Sequence, residues 1–142
     1  MGYTRYWERT EKPITEDFLE EVKKIIVDCA KKGIAIRGRD GKGKPKLTLK
    51  EIALNGNSNA EKDLSHESFV ITNEKLGFNF CKTVRKPYDY AVKRILKKAV
   101  EYGLVTDVSS DGKNKMCTDE EYILGLVDSK TLYGTLELWG NL

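Results

Sequence analysis

Phe80-Cys81-Lys82-Thr83-Val84-Arg85-Lys86-Pro87-Tyr88-Asp89 is where the chain changes its period. Before it, alternation puts Phe78 and Phe80 on one side of a strand and Cys81 with Thr83 on the other. After it, Tyr88, Val92, Ile95, Ala99 and Tyr102 recur at helical spacing, widened by Ala91 and Leu96, until Gly103 stops the run. Pro87 suits the first turn of that helix, where its missing N–H would have no partner anyway. A strand therefore feeds a helix through a cationic corner, and the helix's free amides are expected to face Thr83 to Lys86, an arrangement able to hold an anion.

Working outward from this corner, Thr15 is placed to cap a helix that opens with Glu16 and Asp17, buries Phe18, Leu19, Val22, Ile25, Ile26 and Cys29, and ends at Gly33. Ile34 and Ile36 predict a short strand, Gly38 to Pro45 a loop, and Leu47 to Leu54 a strand interrupted near Lys50. Asn55 to Leu64 is polar, lacks a period and reads as a surface loop. Ser68–Thr72 and Phe78–Lys82 predict a hairpin through Asn73 to Gly77. Leu104 to Val108 is a further strand, closed by the turn Ser109-Ser110-Asp111-Gly112.

Thr118-Asp119-Glu120-Glu121 has the form of a capping box opening a last helix through Val127. Beyond it, Leu132 to Trp139 is either one more strand or an apolar tail contacting a second subunit, so a homo-oligomer is a possible assembly. The element order predicts one α+β domain over residues 1–142. Its expected form is a mostly antiparallel sheet of about four to six strands, two main helices packed on one face, and a short C-terminal helix.

A chain of 142 residues with 39% hydrophobic content is large enough for one core. No apolar run reaches the roughly 18 residues needed to cross a bilayer, and the first residues lack the apolar segment of a secretory signal. Cys29, Cys81 and Cys117 are odd in number and widely spaced. They suit neither a disulfide framework nor structural zinc, and they point to a reducing, cytoplasmic setting.

The net charge is +3, but its distribution is uneven. Residues 31–50 hold eight cations against Asp40 alone, and residues 82–98 hold seven against Asp89 alone. If the two blocks meet, they make a surface for a phosphate-bearing ligand; if they diverge, they are solvated faces. Lys93 with Lys97 and Arg94 with Lys98 are like-charge pairs at i,i+4 spacing, each costing roughly 0.2–0.5 kcal/mol unless a carboxylate or anion lies near.

Gly38-Arg39-Asp40-Gly41-Lys42-Gly43-Lys44 has the spacing of a phosphate-cradling loop. Pro45 stands where the magnesium-binding hydroxyl belongs, and an alternating run follows in place of a helix, which argues against an NTPase. A cationic flap remains a sound reading of Arg39, Lys42 and Lys44. His66 is the single histidine and stands beside Glu67, the one pairing from which a general base could be built. One histidine excludes a His-rich metal site, and neither a metal nor a cofactor is expected. Tyr88, Tyr90 and Tyr102 interleave with basic residues, as in a nucleic-acid groove, although Tyr88 and Tyr102 also belong to the apolar stripe.

Together, Tyr3-Thr4-Arg5-Tyr6-Trp7, Asp40 to Pro45, His66-Glu67-Ser68-Phe69, Phe80 to Asp89 and Ser109 to Gly112 resemble a family of small tailed-bacteriophage proteins with no established activity. The likeness covers residues 3–112 and is most specific at the FCKTxRKPYD element, where Val84 takes a position often held by alanine. It implies a phage origin and, through the habits of phage accessory proteins, interference with host defence in the infected cell. The leading expectation is a cytoplasmic binding protein that sequesters an anionic, nucleotide-like defence signal without catalysis. Lys82, Thr83, Arg85 and Lys86 would hold phosphate beside Asp89, with Arg39, Lys42 and Lys44 closing over it. Tyr88 or Trp7 would stack on the base, and His66 and Asp111 would read ribose hydroxyls. The alternatives are an enzyme on a phosphorylated substrate, with His66 and Glu67 as base and helper, and a module binding nucleic acid or a host protein.

Overall fold

The N-terminal residues Thr4–Arg9 form a strand, β1, that the alternation alone did not reveal. Its inward positions are Arg5, Trp7 and Arg9, all nearly inaccessible to solvent, so two arginines occupy places where a strand usually carries aliphatic residues. In this computed structural model, which describes residues 3–111, β1 is the middle strand of its sheet. The remaining elements are α1 (Glu16–Lys31), β2 (Lys46–Leu47), β3 (Glu51–Leu54), β4 (Phe69–Thr72), β5 (Gly77–Lys82), α2 (Asp89–Glu101) and β6 (Val105–Ser110). The expected C-terminal capping box, helix and apolar tail lie outside the described residues.

The fold is α+β, as the sequence predicts, but the six strands divide into two antiparallel sheets of three, ordered β5-β1-β6 and β2-β3-β4. The expected hairpin between β4 and β5 does not form. β5 instead pairs with β1 along six residues, from Thr4 opposite Lys82 to Arg9 opposite Gly77, while β4 pairs with β3. Asn73 explains the handover. Its backbone N–H donates to Lys50 O, its Nδ2 donates to Leu49 O, and its Oδ1 accepts from Ile14 N–H and Arg9 Nη2. These bonds fasten the end of β4 to the β2–β3 turn of its own sheet and to the end of β1 with the segment after it, and the chain leaves for its new partner.

Three further expectations change, the first being that Ser109 and Ser110, read as the start of a turn, are the last residues of β6, opposite Tyr6 and Arg5. Ile34 and Ile36 are buried, but they are flanked by a single bridge between Arg37 and Asn55 and form no strand of their own. The interruption near Lys50 is a full reversal, with Thr48 Oγ1 accepting from Lys50 N–H and Glu51 N–H.

Both helices end alike. Ile34 N–H reaches Cys29 O at 2.8 Å with Gly33 at φ 80°, and Leu104 N–H reaches Ala99 O at 2.8 Å with Gly103 at φ 76°. This six-to-one closure needs a left-handed residue, which glycine adopts without a Cβ clash. Thr15 caps α1 through Oγ1 to Phe18 N–H, as expected. One core takes the apolar faces of both helices and inward residues of both sheets: Trp7 meets Phe69 across the sheets at 5.2 Å, and Phe18 meets Tyr102 across the helices at 5.7 Å. Cys29 lies in it, and burial pushes its thiol up to about 12.

Candidate functional site

The cationic corner is more heavily committed to the fold than its sequence suggests. Thr83 and Asp89 are fully buried, and Asp89 receives Arg5 Nε and Nη2 at 2.8 Å each and Thr83 Oγ1 at 2.7 Å. Tyr88 is equally inaccessible and donates its hydroxyl to Glu67 O at 2.6 Å. The amides expected to face an anion also have protein acceptors. Thr83 and Val84 N–H donate to Tyr3 O, Arg85 N–H to Thr83 Oγ1, Lys86 N–H to Thr83 O, Asp89 N–H to Lys86 O and Tyr90 N–H to Pro87 O. Thr83, Tyr88 and Asp89 thus serve the strand-to-helix junction and are withdrawn from solvent.

Val84 and Arg85 hold φ of 47° and 58°, a left-handed pair that is strained for a β-branched residue. This turn lifts Arg85 over the Tyr3 ring at 4.2 Å, and Lys86 Nζ bonds Asp63 O. Lower on α2 the like charges find carboxylates: Arg94 pairs with Asp28 of α1 at 2.6 Å, and Lys98 with Glu101 at 3.2 Å.

The glycine-containing flap is a 3-10 turn over Arg39–Gly41 that continues into β2. Gly41, at φ 79°, sits so close to Gly56 O, Ser58 Cβ and Ser65 Cβ that a Cβ would come within 2.8 Å of each. Ser58 closes the contact by donating its N–H and Oγ to Gly41 O. Arg39 and Lys46 both pair with Glu51. Lys42 and Lys44 are exposed. Asn55, expected in a surface loop, is wholly buried and makes a polar hub: Oδ1 accepts from Gly56 and His66 N–H, and Nδ2 donates to His66 O and Ser68 Oγ.

His66 and Glu67 are both exposed, but Glu67 Oε1 accepts from Lys82 N–H at 2.7 Å, and no hydrogen bond joins the two side chains. Asp40 lies in the flap, Asp89 in the buried pair and Asp111 at the end of β6, so these three carboxylates do not converge.

Two cavities collect the remaining candidates. On the outer face of the β5-β1-β6 sheet, a groove of about 440 Å3 is lined by Thr4, Tyr6, Phe78, Phe80, Lys82 and Asp111. Phe78 and Phe80 are 58% and 52% exposed, unusual for large apolar rings on a sheet that could have turned them inward. Tyr6 and Phe78 stack at 6.0 Å, and Phe78 meets Phe80 at 6.1 Å. Asp111 closes one end, accepting Tyr6 Oη–H at 2.6 Å and Thr4 N–H at 3.2 Å. The hydrogen bond to Asp111 raises the Tyr6 phenol. In β6 an extra residue opposite Tyr6 to Glu8, with Asp107 at φ 53°, makes a bulge that shifts the register before the strand reaches Asp111.

The second cavity, about 270 Å3, lies between the splayed strands β4 and β5 and is lined by residues of both sheets, including Trp7, Arg9, Asn79, Arg39 and Lys75. Arg39 therefore borders one cavity and Lys82 the other, and the two basic segments do not close over a common guest at either. Tyr6, Phe78, Phe80, Arg9 and Lys75 were not among the candidate site residues read from the sequence. For the phenylalanines the alternation of β5 carried the signal, but the exposed face became legible only once β1 was known to pair beside it. The chain matches no protein-family model, no curated protein and no solved structure.

Proposed function

We propose that this protein binds an anionic, nucleotide-like small molecule and, in line with its resemblance to phage proteins, sequesters such a signal in the infected host cell. The observation that carries this reading is the outer groove, where three aromatic rings stand beside one cation and one carboxylate. Exposed rings give a heterocyclic base a stacking surface worth roughly 1–3 kcal/mol per base. Lys82 supplies charge for phosphate at one end. Asp111 keeps acceptor capacity beyond its two bonds and suits ribose hydroxyls. Sequestration of this kind requires no general base.

The reading is tested by incubating the protein with mono-, di- and cyclic nucleotides, removing free ligand, heat-denaturing and identifying what is released. Intact release is expected, with Phe78→Ala and Phe80→Ala each weakening binding roughly 5- to 150-fold, the range that the stacking energy implies. Altered products would make the protein an enzyme. Retention of single-stranded nucleic acid with a steep salt dependence would move it to the third class. Unchanged affinity in both phenylalanine variants would remove the groove from consideration.

A further inference from the structure

The cleft between β4 and β5 holds a charge that the fold leaves uncompensated. Arg9 is 4% exposed, yet every acceptor it meets is neutral: Nε donates to Thr72 O, Nη1 to the carbonyls of Thr10, Lys12 and Leu104, and Nη2 to Asn73 Oδ1. Among the described residues no carboxylate pairs with it. Nη2 makes only that one bond, so one of its hydrogens has no acceptor among them. Trp7, 2% exposed and lining the same cleft, has an indole N–H without a partner. Unsatisfied buried donors are uncommon, and this one belongs to a side chain that forms the cleft wall, its nitrogen almost wholly covered, beside the buried cation on the same wall.

The rest of the lining points the same way. Arg39 and Lys75 add two cations, Ser68, Thr72 and Asn79 add polar groups, and no acidic side chain contributes. Glu51, which pairs with Arg39, is shared with Lys46 and does not balance the group. At about 30 Å3 per water, the volume equals roughly nine waters, enough for a compact oxyanion with part of its hydration but small for a whole nucleotide.

We infer that this cleft is an anion site separate from the outer groove, which it adjoins at Phe80, built for a phosphate-sized oxyanion that accepts from the Arg9 guanidinium while Arg39 and Lys75 close its mouth and the Trp7 indole forms its wall. Phosphate free in solution and phosphate on a small ester share this chemistry. The inference does not depend on the outer groove binding anything.

The test uses full-length protein carrying Trp139→Phe, so that Trp7 supplies the sole indole N–H resonance, titrated at constant ionic strength with inorganic phosphate, glycerol phosphate or chloride. Phosphate is expected to move that resonance saturably and chloride to leave it in place. A response to glycerol phosphate as well would identify a mouth open to esters; its absence would identify free phosphate. Lys75→Ala and Arg39→Ala, both at exposed side chains, should weaken the effect at least tenfold, whereas Phe78→Ala should leave it unchanged. The inference is overturned if phosphate and chloride act alike, which would mean that the cleft holds water only, or if the saturable shift is indifferent to both cation variants.

Discussion

Arg5 and Arg9 lie on the same face of β1, four residues apart, and both are almost wholly buried, yet the two ends of the strand handle the charge in opposite ways. At the Arg5 end a fork-to-fork pair with Asp89, joined by Thr83, neutralises the guanidinium within the core. At the Arg9 end only carbonyls and an amide oxygen receive it, burial lowers its proton affinity, and a cleft opens beside it. A compensated buried charge fixes the junction of β5 and α2. An uncompensated one leaves a positive field where solvent or a ligand can reach.

The largest effect expected from breaking this contrast follows Asp89→Ala, which strands Arg5 in the core and should cost about 3–5 kcal/mol in urea denaturation. Replacing the pair together, Arg5→Met with Asp89→Leu, should recover most of that loss. If the double variant is as unstable as the single, the pair's role is geometric and the electrostatic account fails.

Alkaline pH probes the same end without mutation. Burial, with Asp89 nearby, raises the Cys81 thiol, and burial raises the Tyr88 phenol and takes Cys29 to about 12. Each group stays protonated in the folded chain at pH values where the unfolded chain has lost its proton. Their stabilisation is therefore complete below the unfolded thiol value near 8.5 and declines as pH rises toward 12. The denaturation midpoint should fall steadily over that window, and a flat profile would show that these groups reach solvent.

A smaller change is expected from Thr83→Val, which removes one hydrogen bond to Asp89 but leaves both Arg5 contacts, a loss of about 1–2 kcal/mol. An effect as large as that of Asp89→Ala would mean that the hydroxyl, and not the guanidinium, holds the carboxylate in place.

Much of the scaffold was readable before any coordinates. The cap of α1 and the stops and apolar faces of α1 and α2 are local patterns, and they formed where Thr15, Gly33 and Gly103 placed them, whereas α2 begins at Asp89, just beyond Pro87, without a side-chain cap. β1 escaped because inward arginines give it no apolar alternation. The β4–β5 hairpin failed because a turn signal reports that the chain bends, not which strand it meets afterwards. Among the candidate site residues, Lys82 and Asp111 do share a groove, while Trp7 and Arg39 share the other cavity. Thr83, Tyr88 and Asp89 were chosen at a helix start, but Tyr88 and Asp89 serve the distant Glu67 and Arg5, and Thr83 closes on Asp89.

Sequence alone determined the two helices, the strand segments β4 and β5 and the uneven placement of charge, because each depends on residues within a few positions of one another. Tertiary structure decided which strands pair, which arginine meets a carboxylate and which aromatic rings stay in water. Those outcomes are set by contacts such as Arg5 with Asp89 and Arg9 with Thr72, between segments that only folding brings together.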